Sequence, residues 1–281
     1  MPKPPKADLH IHTTASDGKC TPVAVVNKAE AEGLYAIAIT DHDTYSGYEP
    51  ARKRGAEIGI EVIPGMEITC DFKGREVHIL AYGFDVHDEK LLQFTSQQKL
   101  RRHKRAKQMV ENLNKMGFDL TIEEVIAEAG TLNISRNHLA QLMVSKGYST
   151  QKRLVFGKYI GNHAPAYHKT EYDTVEKVAN LIRAAGGVTI VAHPAAYYAD
   201  SELEELISAG INGFECVHPS HTYELQKKYL RLCESRNLLK SGGSDFHGYE
   251  AARNSWFGTV NVDKSWVDAL LKQCTMQGQL H

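Results

Sequence analysis

The chain has almost no surplus of charge: 33 Lys and Arg residues stand against 34 Asp and Glu, a formal net charge of -1. No global basic field therefore draws in nucleic acid, and an anionic substrate must be held by local charge. No apolar run approaches the ~20 residues of a transmembrane helix. There is no internal repeat and no low-complexity tract. Cysteine is sparse: Cys20, Cys70, Cys216, Cys233 and Cys274 form no CxxC pair, and their number is odd. The Met1-Pro2-Lys3-Pro4-Pro5-Lys6 start shows no signal-peptide pattern, so a reducing, cytoplasmic setting is the simplest expectation. What is left, 281 residues with 42% apolar and 24% charged side chains, is ordinary for a soluble globular chain. That length allows one large barrel domain, or a barrel with a smaller insert.

Strand and helix signals alternate in the first third. Residues 7–13 alternate and end in turn residues, and residues 22–33 read as a helix with Pro22 near its start and Gly33 at its end. The run YAIAIT at 35–40 suits a buried parallel strand. Residues 46–59 read as a helix, and 61–69 and 76–84 as two strands joined through Lys73-Gly74. The pattern then changes: residues 88–148 are charged, helix-prone and free of proline. Strand signals return near 188 (VTIVAH). They continue as helix 201–209, strand 211–217, helix 222–236, strands 238–243 and 256–260, and helix 264–274. The expectation is an α/β chain in three parts: barrel 1–85, a helical insert 86–165 and barrel 166–281.

Metal-ligating side chains concentrate in seven short segments: Asp8-Leu9-His10-Ile11-His12, Asp17-Gly18, Thr40-Asp41-His42, Glu67, His78, His193-Pro194 and Asp245-Phe246-His247. Imidazole and carboxylate hold borderline divalent cations such as zinc and manganese. His10 and His12 stand two apart, which on a strand puts both rings on one face. Surface histidines fit poorly in a segment whose Leu9 and Ile11 look buried. His42 closes a polar cluster at the carboxyl end of an apolar strand, where barrel sites are built. The alternative there is a helix N-cap, a role open to Asp43 or Ser46. Glu67 among Ile63, Met66 and Ile68 is costly to bury unpaired and satisfied as a carboxylate bridging two cations. Taken alone, Glu67 or His78 reads as a structural polar residue. Pro194 stops the strand that ends in His193, and Asp245 and His247 alternate as His10 and His12 do. The glycines before Asp245 allow close backbone packing.

Together with Ser16-Asp17-Gly18, Gly65-Met66-Glu67, Ala192-His193-Pro194 and Gly243-Ser244-Asp245-Phe246-His247, these segments resemble the PHP (polymerase and histidinol phosphatase) family, in the family's order. The resemblance implies a distorted (β/α)7 barrel with a helical insertion subdomain and a metal centre at the strand ends. It places one cation on His10, His12, Glu67 and Asp245, and a second on Glu67, His78 and His193. A third falls to Asp17, His42 and His247. Many family members have histidine where Asp17 stands. Aspartate is the harder donor, which shifts the expected third ion toward manganese or magnesium. Two or three divalent cations are implied, drawn from Mn, Zn, Fe and Mg.

The insert is similar to that of the subgroup of nucleoside 3',5'-bisphosphate phosphatases and 5'-3' oligoribonucleotide exonucleases. The matching segments are Ser135-Arg136-Asn137-His138, Gly157-Lys158-Tyr159-Ile160 with Pro165-Ala166-Tyr167, and His218-Pro219-Ser220-His221. In this setting Arg136 would grip a phosphate, with His138 beside it, and Lys158 would neutralise a second phosphate. Ser220 and His221 would reach the substrate from a strand end. Asp245 would orient the nucleophile and His221 would protonate the leaving oxygen. The insert would cover the barrel mouth as a lid. The implied partner is a small nucleotide or a short RNA, with no membrane and no obligate protein partner. The run Lys99 to Arg105 would track a nucleic-acid backbone or form the solvated face of a long helix. Rival readings are a histidinol-phosphate-type phosphatase, a non-catalytic metal-binding module and an amide hydrolase. The last typically wants a carboxylated lysine or a mononuclear centre, and no lysine stands beside the histidines of the ligand-bearing strands.

Overall fold

A computed structural model of the chain describes residues 5–248 and 256–278. By its internal packing the chain divides into two units, residues 1–92 with 172–281 and residues 93–171.

The first unit is built on one mixed sheet. Its early elements are β1 (Lys6–Ile11), α1 (Pro22–Ala31), β2 (Leu34–Ile39), α2 (Tyr48–Ile58), β3 (Glu61–Phe72) and β4 (Arg75–Tyr82). Pairing is parallel from β1 through β2 to β3, then antiparallel from β3 to β4. Thr21 caps α1 by accepting the Ala24 N–H, and Pro22 opens the helix where its missing N–H costs nothing. The second half of the unit begins at residue 172.

The second unit carries most of α3 (Glu89–Lys115), then α4 (Ile122–Ala129), α5 (Arg136–Ser145), α6 (Lys152–Val155) and a one-turn π-helix over Phe156–Ile160. It has its own core, in which Met109, Leu113, Val125, Leu139, Met143 and Ile160 are buried together. A reciprocal Thr121–Glu124 cap starts α4, and Gly130 at φ 63 ends it. The unit begins and ends a few residues later than the 86–165 read from the sequence. Asp85 N donates to Ala185 O at 2.8 Å within the barrel unit, whereas Ala166 is buried in the insert's core and donates to Tyr159 O at 2.9 Å.

The first unit resumes with α7 (Val175–Ala184), β5 (Val188–Val191), α8 (Asp200–Ser208), β6 (Gly213–Val217), α9 (Tyr223–Arg236), β7 (Leu239–Gly242), β8 (Val262–Asp263) and α10 (Lys264–Gly278). The eight strands run in the order β7-β6-β5-β4-β3-β2-β1-β8. This is one strand more than a seven-stranded barrel. The extra strand β8 pairs antiparallel to β1 through only Ala7 and Lys6. The strand expected over 256–260 is a turn instead: Thr259 N and Val260 N both donate to Trp256 O, and Gly258 sits at φ 75. Near-closure comes from the loop after β7, where Phe246 bridges to Ile11 and its carbonyl accepts the His12 N–H at 2.9 Å.

The apolar run of β2 has a simple cause: the strand is covered on both faces. Ala36 and Ala38 point into the core that holds Leu9, Leu80, Tyr82 and Ile190. Ile37 and Ile39 point into the layer under α1 and α2, with Val25, Val26 and Ala51. Tyr82 crosses the first of these cores and donates to Leu9 O at 2.7 Å. Among the described residues, no helix is long and apolar enough to cross a membrane.

Candidate metal centre

Nine side chains from distant segments meet, some at or just beyond the carboxyl ends of strands and two, Glu67 and His78, from within the antiparallel pair β3 and β4, and Glu67 is their hub. Its Oε2 lies 3.0 Å from His42 Nδ1, 3.2 Å from His12 Nε2 and 3.5 Å from His10 Nε2. Its Oε1 lies 2.8 Å from His78 Nδ1 and 2.9 Å from His193 Nε2. Asp245 Oδ1 adds a second carboxylate 3.2 Å from His12 Nε2 and 3.4 Å from His10 Nε2. Asp17 sits at the far side, 3.3 Å from His247 Nε2 and 3.9 Å from both His42 Nε2 and His12 Nδ1. All nine residues named from the sequence are therefore brought together.

Among the described residues, four overlapping groups have donor atoms within 4.8 Å of one another: His12, Asp17, His42 and His247; His10, His12 and Glu67; His42, Glu67 and His78; and His10, His218 and Asp245. Two ligand bonds of ~2.0–2.2 Å to one ion reach about 4.4 Å at most, so small side-chain shifts bring each group onto a cation. The donor chemistry fits divalent cations. His10 Nε2 and both nitrogens of His12 are buried and make no hydrogen bond among the described residues, although carboxylate oxygens stand close by. Buried polar atoms left in this state are costly, and a shared cation satisfies them.

Electrostatics point the same way. Burial alone would raise the Glu67 carboxyl, but His42, His78 and His10 outweigh it and hold Glu67 well below the usual carboxylate range. Burial would likewise raise Asp245, and His10 and His247 overcome it. For His12, burial pulls down, yet the Asp245 and Glu67 carboxylates 3.2 Å from its Nε2 drive the ring up to about 10. The metal-free ring is thus protonated at pH 7, and ligation needs it neutral. Cation loading at pH 7 is expected to release at least one proton per chain, with apparent affinity climbing as pH rises toward 10. Calorimetric titrations in buffers of different ionisation enthalpy count those protons, and a count of zero would contradict the ligand role of His12. Metal-free stability runs the other way. A raised histidine contributes fully below 6.5 and loses that contribution as pH rises through about 10.

The backbone is bent to deliver these groups. His193 has φ 28 and Asp245 φ 50, left-handed values that non-glycine residues adopt at a cost. Gly18 and Gly243 let loops lie directly on β1 and its extension. A Cβ on Gly18 would come 2.5 Å from His12 O, and one on Gly243 would come 2.4 Å from His10 N. Asp8, whose carboxyl burial raises to about 7, accepts Ser244 N at 3.0 Å and His10 N at 3.2 Å, so it ties the Asp245 loop to β1. Asp41 accepts from both N and Oγ1 of Thr13 at 2.7 Å. Asp43 is not a helix cap: it accepts Thr69 N at 2.8 Å, while α2 starts after Gly47 with no side-chain cap.

Two residues that the sequence did not single out as site groups stand beside the ligands. Glu215, fully buried on β6, lies 3.0 Å from His10 Nδ1 and accepts the His193 N–H at 2.6 Å. His218 faces Asp245, with Nε2 3.4 Å from Oδ2.

His221 has to be reassigned. Its Nδ1 donates to Cys216 O and its Nε2 accepts the Ala195 N–H, both at 3.0 Å, and burial lowers its pKa. Both nitrogens are consumed, so the ring braces the loop after β5 and has no proton to give a leaving group. Ser220 turns its Oγ toward His218 Nδ1 at 2.8 Å.

In the insert, His138 is part of the α5 cap: its Nδ1 accepts the Ser135 N–H at 3.1 Å. That use, not substrate contact, is what the geometry gives it. Lys158 is exposed on the π-turn. Arg136 is half-buried, donates to Asn162 Oδ1 at 2.7 Å and lies over the Phe156 and Tyr167 rings. It lines a small pocket with Arg102, Arg105 and Ser135. Arg102 and Arg105 are buried at 8% and 7% exposure, so this part of the basic run is no solvated face. Arg102 and Arg105 of α3 and Arg136 at the start of α5 thus bring three guanidinium groups to one small pocket.

A family model described as PHP domain matches residues 8–207. The chain is 34% identical over 247 residues to a 5'-3' exoribonuclease of Haemophilus influenzae, covering 86% of this chain and 90% of that one. It is 32% identical over 246 residues to a 3',5'-nucleoside bisphosphate phosphatase of Chromobacterium violaceum, covering 85% and 86%. A solved structure from Bifidobacterium adolescentis, provisionally named a metal-dependent phosphoesterase, matches with a TM-score of 0.88 at 30% identity, covering 96% of this chain and 98% of that one. With a family model over residues 8–207 and relatives at 30% identity or more over most of both chains, the chain belongs to the PHP domain family and is a phosphoric ester hydrolase.

Proposed function

We propose that the chain hydrolyses the 3'-phosphate of nucleoside 3',5'-bisphosphates, with short 5'-phosphorylated oligoribonucleotides as a second substrate class. The observation that carries the proposal is the Glu67-centred cluster, five histidines on one buried carboxylate. His10, His12, Glu67 and Asp245 would hold one divalent cation, and Glu67, His78 and His193 a second. Asp17, His42 and His247 would hold a third. The chemistry supplied by such cations is neutralisation of the phosphoryl oxygens and acidification of an attacking water. Asp245, with its side chain 30% exposed, would orient that water. Support for a nucleotide with two anionic groups comes from the named activity of the Chromobacterium violaceum relative; the insert, taken by itself, gathers Arg102, Arg105 and Arg136 around one small pocket.

The test is phosphate release, with added manganese, from adenosine 3',5'-bisphosphate, adenosine 5'-monophosphate, histidinol phosphate and a short 5'-phosphorylated RNA. Preference for the bisphosphate is expected. Arg136→Ala is expected to raise KM for it by about 10- to 100-fold, the worth of a charged hydrogen bond. Stepwise release of mononucleotides from the RNA would move the main activity to exonuclease. Turnover of histidinol phosphate alone would refute the nucleotide assignment.

A further inference from the structure

Strand β6 supplies none of the nine ligand residues, yet Glu215 on it and His218 just after it are turned on the metal centre. We propose that β6 is the positioning strand of the centre, with Glu215 and His218 fixing which atoms of His10, His193 and Asp245 face the cations. The inference rests on the metal-dependent reading above, and it concerns residues that the ligand set does not include.

Glu215 comes first. It lies inside GFECV, fully buried, and its two oxygens are divided between two ligand residues. Oε1 is 3.0 Å from His10 Nδ1, and Oε2 accepts the backbone N–H of His193 at 2.6 Å. An ionised carboxylate only accepts, so the proton of a neutral His10 ring is held on Nδ1. Nε2, the nitrogen facing Glu67 and Asp245, is left with its lone pair for a cation. The same carboxylate anchors His193 at its strained φ of 28. One buried charge thus sets the tautomer of one ligand and the backbone of another.

His218 follows directly on the end of β6 and is buried at 7% exposure. Its Nδ1 receives the backbone N–H of Ser220 at 3.0 Å. A backbone N–H can only donate, so Nδ1 is an acceptor and a neutral ring carries its proton on Nε2. Nε2 is buried, has no hydrogen-bond partner among the described residues, and lies 3.4 Å from Asp245 Oδ2. His10, His218 and Asp245 do form a group compact enough to hold a cation. Such a cation would require the ring to move its proton to Nδ1 and give up the Ser220 N–H hydrogen bond, so that hydrogen bond favours the donor role at Nε2. His218 is therefore an N–H donor held against the outer oxygen of Asp245, leaving Oδ1 for the side of His10 and His12. A donated N–H costs little to make here and much to leave unmade.

The experiment is stepwise cation binding to metal-free protein, with competing chelator, together with the absorption spectrum of the cobalt(II)-loaded form. Neither readout needs substrate, so failure here is distinct from failure of the proposed activity. Glu215→Gln and His218→Phe are each expected to weaken one of the stepwise constants by about 10- to 100-fold while leaving the number of ions per chain unchanged. Both should shift the cobalt spectrum. His218→Gln, which keeps an N–H donor, should recover part of the loss. A lower melting midpoint with unaltered binding constants and spectrum would make both residues merely structural and overturn the proposal. Loss of one whole equivalent in both His218 variants would make His218 a ligand and overturn it equally.

Discussion

Glu67→Gln is expected to lower phosphate release by on the order of 10³-fold or more and to remove at least one cation per chain. The substitution preserves volume and removes only charge. In the native site the two carboxylate oxygens serve five imidazoles at 2.8 to 3.5 Å. An amide presents N–H donors where two of those rings need a shared acceptor, and it cannot bridge two cations. Elemental analysis of the purified variant and its turnover with saturating manganese check the two halves of the expectation separately. Retention of full metal content with full turnover would remove Glu67 from the centre.

The second large effect is at a residue with no side chain. Gly243→Ala should lose stability and metal together. The added Cβ would stand 2.4 Å from His10 N, 2.6 Å from His10 Cβ and 2.7 Å from Asp8 Oδ1. Two of these three obstacles are the N and Cβ of His10 on β1, which cannot rotate away, so the loop itself must retreat. That loop carries Asp245 and His247 and is held to β1 by the Ser244–Asp8 and Phe246–His12 hydrogen bonds. Overpacking of this kind costs about 1–3 kcal/mol, which lowers the melting midpoint by roughly 2–4 °C per kcal/mol in a chain of this size class. Displacing a ligand by ~1 Å costs on the order of 10²-fold in rate. A thermal melt and a metal analysis on the same preparation suffice. A variant that melts and binds metal like the wild type would mean the loop has slack that its geometry does not show.

Much of the centre was legible because its ligands break the pattern around them. Histidines at 10 and 12 interrupt an apolar strand, and Thr40-Asp41-His42 ends the run YAIAI abruptly. Such breaks are visible without knowing what lies opposite. Glu215 gave no comparable signal. One polar residue in GFECV reads as ordinary strand alternation, and its partner His10 is 205 positions away. His221 was misjudged for a related reason. A histidine's usefulness depends on which nitrogens are already spent, and His221 spends one on Ala195, 26 positions away and across the sheet. Arg102 and Arg105 belong to a basic run that reads either as a nucleic-acid track or as the solvated face of a long helix. They are buried through the packing of α3 in the insert, where Arg105 lies over the Tyr167 ring. The strand expected at 256–260 failed locally instead, since Gly258 turns the chain where the apolar alternation suggested extension.

The measurement that tests the account most directly is phosphate release from adenosine 3',5'-bisphosphate by chelator-stripped protein as manganese is added back stepwise. The account predicts no release without metal, a rise with each equivalent, and a plateau at two to three ions per chain. Release that is independent of added metal, or none at any metal load, would contradict it.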